Sequence, residues 1–153
     1  MKEIYYTYNN EALASCVFLS ILQHIKTLDI ACSCLILPFL FDDRTVKYLS
    51  EICENQHDEL SLEQIMEDKP LLFTSFNKRY LSLLPITINS LMILSKSDQI
   101  NISKEIHCIT NSNMDNNVMG ERFNRITKVI PLFLSIIQKH STTQLYKLLK
   151  IQL

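Results

Sequence analysis

The chain has 153 residues, of which 47% are hydrophobic and 20% charged, which suits one globular domain and is too short for two comfortable ones. Glycine occurs once and proline four times, which argues against a sandwich or barrel with many tight turns. The net charge of -1 lacks the basic excess of an autonomous nucleic-acid binder. We therefore expect a mainly α single helical domain over residues 1–153, with any DNA contact made only through a complex.

The N-terminal third predicts helices joined by short polar segments. Asn9 and Asn10 suit the N-cap of an amphipathic helix of about 16 residues. Residues 30–41 are apolar on every side, so we expect a buried helix that Pro38 limits and that continues as a loop. Asp43 suits the N-cap of the next helix. Its predicted inward stripe comprises Val46, Leu49, Ile52 and Cys53.

The middle of the chain predicts a short helix followed by a long one. Ser61 and Gln64 have the spacing of a capping box, and Pro70 is predicted to end the helix that they open. A long helix is expected from Leu71 to Leu94, with a bend or break at Pro85. Its apolar positions are Leu72, Phe76, Leu83, Leu84, Ile88, Leu91 and Met92.

The last third contains the convincing strand signal and two further helices. Residues 99–102 and 105–109 alternate apolar and polar side chains, which predicts a small β-hairpin. Residues 110–117 are predicted to form a polar loop before a helix. The inward positions of that helix are Phe123, Ile126, Val129, Ile130, Phe133 and Ile137. A capping box at Ser141 and Gln144 opens a terminal helix with Leu145, Leu148 and Leu149. This order of helices and hairpin is compatible with a winged-helix-like part.

The motifs of catalysis are missing from the sequence. There is no glycine-rich phosphate loop, nucleophile elbow or His-Glu-x-x-His helix, so we expect no enzyme, no catalytic residue and no cofactor. The cluster Cys32, Cys34, Cys53 and His57 has poor spacing for zinc, and we expect no metal site. With no export signal or membrane span, the five cysteines predict reduced, mostly buried thiols without disulfides in a cytoplasmic protein.

Two basic clusters are candidates for contact with DNA or with an acidic partner. One comprises Lys78 and Arg79, and the other comprises Arg122, Arg125 and Lys128, both on predicted polar helix faces. A solvated helix face is the commoner reason for such a pattern, and phosphate or an acidic protein surface is the alternative. The sequence leaves both interpretations open.

The apolar C-terminus is a candidate partner-binding segment. Its residues are Tyr146, Leu149, Ile151 and Leu153. An apolar terminus is explained by docking either onto its own core or onto a partner, and we favour the first. Leu28, Leu60 and Leu153 are further expected to be exposed and to need a partner.

Three segments in order resemble the middle component of bacterial three-component ABC-ATPase systems. They are Tyr-Asn-Asn-Glu-Ala-Leu-Ala at residues 8–14, Leu-Ile-Leu-Pro-Phe-Leu-Phe-Asp-Asp-Arg-Thr at residues 35–45, and the Leu/Phe helix through Phe76 and Arg79 to Leu94. The chain ends with Tyr-Lys-Leu-Leu-Lys-Ile-Gln-Leu at residues 146–153, in the place of the closing motif of those proteins. The resemblance covers nearly the whole chain.

This resemblance implies a non-catalytic adaptor in a prokaryotic defence system of the Lamassu type. The implied partners are an SMC-like ABC ATPase, which senses foreign or damaged DNA, and an effector subunit, often a nuclease. No membrane contact is expected. The alternative is a small winged-helix DNA-binding or regulatory module, with residues 99–109 as the wing and Arg122, Arg125 and Lys128 on the neighbouring helix.

Overall fold

The computed structural model describes residues 9–55, 60–110 and 119–152, and it is mainly α-helical, as predicted. The helices are α1 (Glu11–His24), α2 (Ile30–Leu40), α3 (Asp43–Glu54), α4 (Leu62–Asp68), α5 (Phe76–Lys96), α6 (Glu121–Ile137) and α7 (Thr142–Leu148). A short 3-10 helix spans Pro70–Leu72. The strands are β1 (Thr27–Asp29), β2 (Ile100–Ile102) and β3 (Glu105–Cys108). The predicted loop at residues 110–117 and the candidate ligand His57 lie largely or wholly outside the described residues.

The helix starts follow the local capping chemistry of the sequence. Asn10 Oδ1 accepts a hydrogen bond from the Leu13 amide at 2.9 Å, and both predicted capping boxes, at Ser61 and Ser141, are formed. One cap is shifted by a residue, because Asp42 rather than Asp43 accepts from the Thr45 amide and hydroxyl. The Asp42 position completes the cap because it lies three residues before Thr45.

Neither apolar helix ends at its proline, so the predicted break at Pro85 is wrong, while the predicted bend there stays a prediction. Helix α2 continues through Pro38 and ends two residues later at Leu40, so the loss of the one helical hydrogen bond that the Cys34 carbonyl would accept from residue 38 does not end it. Helix α5 continues through Pro85, which lies on the exposed side. The carbonyl that Pro85 leaves without its helical donor is therefore on the side where water replaces that donor. The long helix also begins at Phe76 rather than Leu71, because the 3-10 turn precedes it.

The hairpin is confirmed, and it carries a third strand that the sequence analysis missed. The sheet order is β1-β3-β2, with both pairs antiparallel. Leu28 pairs with Ile106 and is buried, so the expectation that Leu28 is exposed is wrong. β1 has only three residues and one buried side chain, too few to produce a period-two pattern.

The core lies where the helices pack on one another. Helix α5 packs on α1 and α2, while α6 packs on α1 and α3. The buried side chains come from all seven described helices and from the strands, and they form one continuous hydrophobic cluster. The predicted inward positions of α6 are all buried. In α3, Val46, Leu49 and Ile52 are buried whereas Cys53 is exposed, so the stripe is narrower than predicted.

Candidate interaction surfaces

Helix α5 has a second apolar face opposite the one that it buries. The buried face includes Phe76, Leu83, Leu94 and the hydroxyl-bearing Thr87 and Ser90. On the outside, Leu81 is 52% exposed, Ile88 51% and Met92 48%. Ile88 and Met92, which the sequence analysis used only to mark the helix, thus lie on its exposed side. At about 100° per residue, Leu81, Pro85, Ile88 and Met92 fall within about 60° of one another, and we call this set the α5 stripe.

A basic cleft of about 250 Å³ lies between α3 and α6. Its lining residues are Asp43, Val46, Lys47, Ser50, Arg122, Arg125 and Ile126. Of the three predicted basic positions on α6, Arg125 and Lys128 are exposed as expected. Arg122 is different, because its guanidinium side chain is only 12% exposed.

Arg122 joins three parts of the fold. Its Nη2 donates to Asn9 Oδ1 at 2.8 Å and to the Phe41 carbonyl at 3.1 Å, and its Nε lies 3.5 Å from Asp43 Oδ1. The guanidinium carbon also lies 5.0 Å from the centre of the Phe41 ring. The interpretation of Arg122 as part of a solvated helix face is therefore wrong, because tertiary contacts hold its charge inside the wall of the cleft.

Arg79 is likewise internal, whereas its neighbour Lys78 is exposed. The Arg79 Nε donates to the Pro38 carbonyl at 3.1 Å, and Nη2 donates to the Leu72 carbonyl at 2.7 Å. Nη1 donates to Ser75 Oγ at 3.1 Å. Both carbonyls lie at helix ends, where the backbone no longer supplies a donor. Arg79 thus caps the C-terminal ends of α2 and the 3-10 helix, and only Lys78 of this predicted basic pair faces solvent.

The C-terminal segment docks onto its own domain, which confirms the favoured interpretation for residues 142–152. Leu149 is buried, and Tyr146 and Ile151 are half-buried against the core. The Tyr146 hydroxyl donates to the Ala31 carbonyl at 2.8 Å, so the Tyr80 hydroxyl, 3.4 Å away, is left to donate to Tyr146. Burial, followed by the bond with Tyr80, raises the pKa of Tyr146. Leu149 is thus largely covered by its own domain, and Leu153 lies outside the described residues.

Two further contacts anchor this segment. The Gln152 amide donates to Asn77 Oδ1 of α5 at 3.0 Å. The Thr142 hydroxyl donates to Asp29 Oδ2 at 2.7 Å, and the same carboxylate oxygen accepts from the Cys32 amide. Asp29 therefore caps α2 and holds the start of α7 with one side chain. Sequence spacing gives no sign of this pairing, since 113 residues separate Asp29 and Thr142.

The five thiols are free but less buried than expected. Cys53 is exposed, and Cys16, Cys32, Cys34 and Cys108 are partly exposed. Burial, with smaller contributions from Asp29 and Cys34, raises the pKa of Cys32 to about 11, which disfavours the thiolate that nucleophilic or metal chemistry uses. Within residues 9–55, 60–110 and 119–152, no three His, Cys, Asp or Glu side chains are grouped so as to hold a metal ion.

A mainly helical chain with an apolar outer face on α5 has the features of a subunit that works within an assembly. A comparison with protein families also indicates a subunit of an assembly. Residues 2–153 match the family described as ABC-three component (ABC-3C) system Middle Component 3, and the chain belongs to that family. Neither the curated proteins nor the solved structures contain a match to this chain. None of the helices described in the structure is long and apolar enough to cross a membrane.

Proposed function

We propose that this chain is a non-catalytic adaptor, a single domain that links an SMC-like ABC ATPase to an effector subunit, often a nuclease. The system would be a Lamassu-type prokaryotic defence against phages and plasmids, acting in the cytoplasm. Membership of a middle-component family supports a role between other subunits. The observation that carries the proposal is the α5 stripe, which is apolar, exposed and opposite the buried face of the same helix.

The physical argument concerns the cost of leaving the α5 stripe in water. A helix that is apolar on both sides is normally covered on both sides. Covering a half-exposed Leu, Ile or Met side chain contributes about 1 kcal/mol, so three of them contribute a useful part of a binding free energy. The basic cleft lies between α3 and α6, neither of which packs extensively on α5, and thus offers a second surface. An adaptor needs two such surfaces because it holds two partners.

Co-purification tests the adaptor role. The chain, tagged and co-expressed with the products of its neighbouring genes, should co-purify with an ATPase and an effector. Ile88→Glu should keep the wild-type melting temperature, because Ile88 faces solvent, yet lose a partner. Ile109→Glu is the matched control, since Ile109 is 56% exposed and lies beyond the end of β3. If the wild-type chain recovers neither partner, the adaptor role is refuted.

The DNA-binding alternative depends on two exposed cations of α6, Arg125 at the basic cleft and Lys128 further along the helix. Under our proposal, DNA is contacted through the complex, so the isolated chain should not bind duplex DNA at micromolar concentration. Fluorescence anisotropy at two salt concentrations measures this. Salt-sensitive binding that Arg125→Ala with Lys128→Ala abolishes would favour the DNA-binding module instead.

A further inference from the structure

The two exposed charged residues of helix α5 lie at the two ends of its outer face, whereas Arg79 is internal. Lys78 and Lys96 are both exposed, and the helix contains no Asp or Glu. The two lysines are 18 residues apart, a separation of about 27 Å at about 1.5 Å per residue. Both are offset from the centre of the α5 stripe by about 50° in the same direction. The outer face of α5 therefore presents an apolar centre between two cations.

A cleft adjoins each end of helix α5. At the N-terminal end, a cleft of about 440 Å³ is lined by Asn77 of α5 and by the cation Lys150. At the other end, Glu11 lies beside Lys96, but its Oε1 accepts a hydrogen bond from Asn89 Nδ2 at 3.2 Å. Among the described residues, no ion pair joins Lys96 to a carboxylate. The cation at each end of the stripe is thus available to a partner.

The spacing of the two lysines disfavours pairing with a second copy of the chain. Lys78 and Lys96 lie nine residues before and after Thr87, near the middle of the stripe. Antiparallel pairing of two copies would place Lys78 of each opposite Lys96 of the other. Parallel pairing would place each lysine level with its own counterpart, on the other flank of the contact. Both arrangements put like charges at the same level at both ends, which destabilises a helix pair.

We propose that the α5 stripe binds one amphipathic helix of a partner subunit, whose apolar face carries an acidic residue at each end. This inference rests on the adaptor role and gives it a partner chemistry. The apolar stripe spans 12 residues, from Leu81 to Met92, on one continuous helix and is about three turns long, which is a surface that another helix packs against. Acidic residues about 27 Å apart on the partner helix would meet Lys78 and Lys96, and the complementary charges would fix its register and direction.

Zero-length cross-linking of the complex tests the geometry directly. A carbodiimide joins a lysine amine to a carboxylate only when the two groups are in contact, with loss of water. We expect Lys78 and Lys96 to cross-link to two carboxylates of one partner helix, about 18 residues apart. Lys78→Arg with Lys96→Arg keeps both charges, so it should preserve the complex while abolishing these two cross-links. Cross-links from the two lysines to unrelated elements would overturn the proposal.

Charge reversal separates this inference from the adaptor role. Lys78→Glu with Lys96→Glu should weaken the complex roughly tenfold or more in Kd, because both ends become repulsive. Lys26→Glu with Lys104→Glu is the matched control, since both lysines are exposed, lie off α5 and give the same change in net charge. Equal affinity of the two double variants overturns the inference while the adaptor role stands. A wild-type dimer that Ile88→Glu disperses would also overturn it, in favour of a second copy. Absence of any complex refutes both proposals.

Discussion

Removal of the Arg79 side chain should destabilise the fold although sequence analysis places it in a basic surface cluster. Its guanidinium is 15% exposed and donates to the carbonyls of Pro38 and Leu72 and to the Ser75 hydroxyl. A hydrogen bond to a charged group contributes about 1.5–3 kcal/mol, and truncation leaves two helix-end carbonyls without this donor. Because neighbouring contributions are not additive, we expect Arg79→Ala to lower the free energy of unfolding by about 3–5 kcal/mol.

Urea denaturation followed by circular dichroism measures this loss. The midpoint should fall while the slope stays unchanged, since the same surface is exposed on unfolding. Arg79→Lys should recover only part of the loss, because an ammonium group lacks the planar fork that reaches both carbonyls. Arg125→Ala removes an exposed arginine and should change the free energy by less than about 0.5 kcal/mol. If Arg79→Ala is as stable as Arg125→Ala, the capping role of Arg79 is wrong.

Three further predictions concern the core, the C-terminus and a thiol. Leu37→Asp should unfold the protein, because Leu37 is fully buried and a carboxylate there costs several kcal/mol, whereas Leu81→Asp should retain a cooperative thermal melt. Deletion from Tyr146 onward should lower the melting temperature by about 5–15 °C; an unchanged melt would contradict self-docking. At pH 8, the raised pKa of Cys32 should make its thiolate fraction about a hundredfold smaller than that of an ordinary cysteine. Alkylation of the folded protein, followed by mass spectrometry, should therefore modify the exposed Cys53 before Cys32. In urea, this order of modification should be lost. Faster alkylation of Cys32 would contradict the burial of its sulfur.

Signals confined to a few neighbouring residues were readable from the sequence. The capping boxes at Ser61 and Ser141 and the cap at Asn10 depend on residues three positions apart, and all are present. The hairpin was also predicted, because its alternation and turn are local. In contrast, β1 exists through its pairing with β3, and a three-residue strand has no pattern of its own.

The candidate surfaces were predicted less well, because exposure depends on the tertiary fold. Arg79 and Arg122 bond to carbonyls 41 and 81 residues away, so their burial has no local signal. Ile88 and Met92 belong to a helix whose apolar residues occupy both sides, and periodicity alone does not say which side faces the core. The sequence therefore identified α5 as apolar, while the fold separated its inner face from the α5 stripe.

The pairing of β1 with β3 has a consequence for synthesis on the ribosome. Thr27 pairs with His107, and Asp29 bonds to Thr142, so contacts of the N-terminal segment await residues from the end of the chain. At about 5–20 residues per second, the 113 residues between Asp29 and Thr142 take on the order of ten seconds to translate. Helix α2 lacks its α5 neighbour for much of that time, although it is the most apolar segment of the chain. Nascent chains are therefore expected to engage chaperones through residues 30–40 until α5 has left the ribosome.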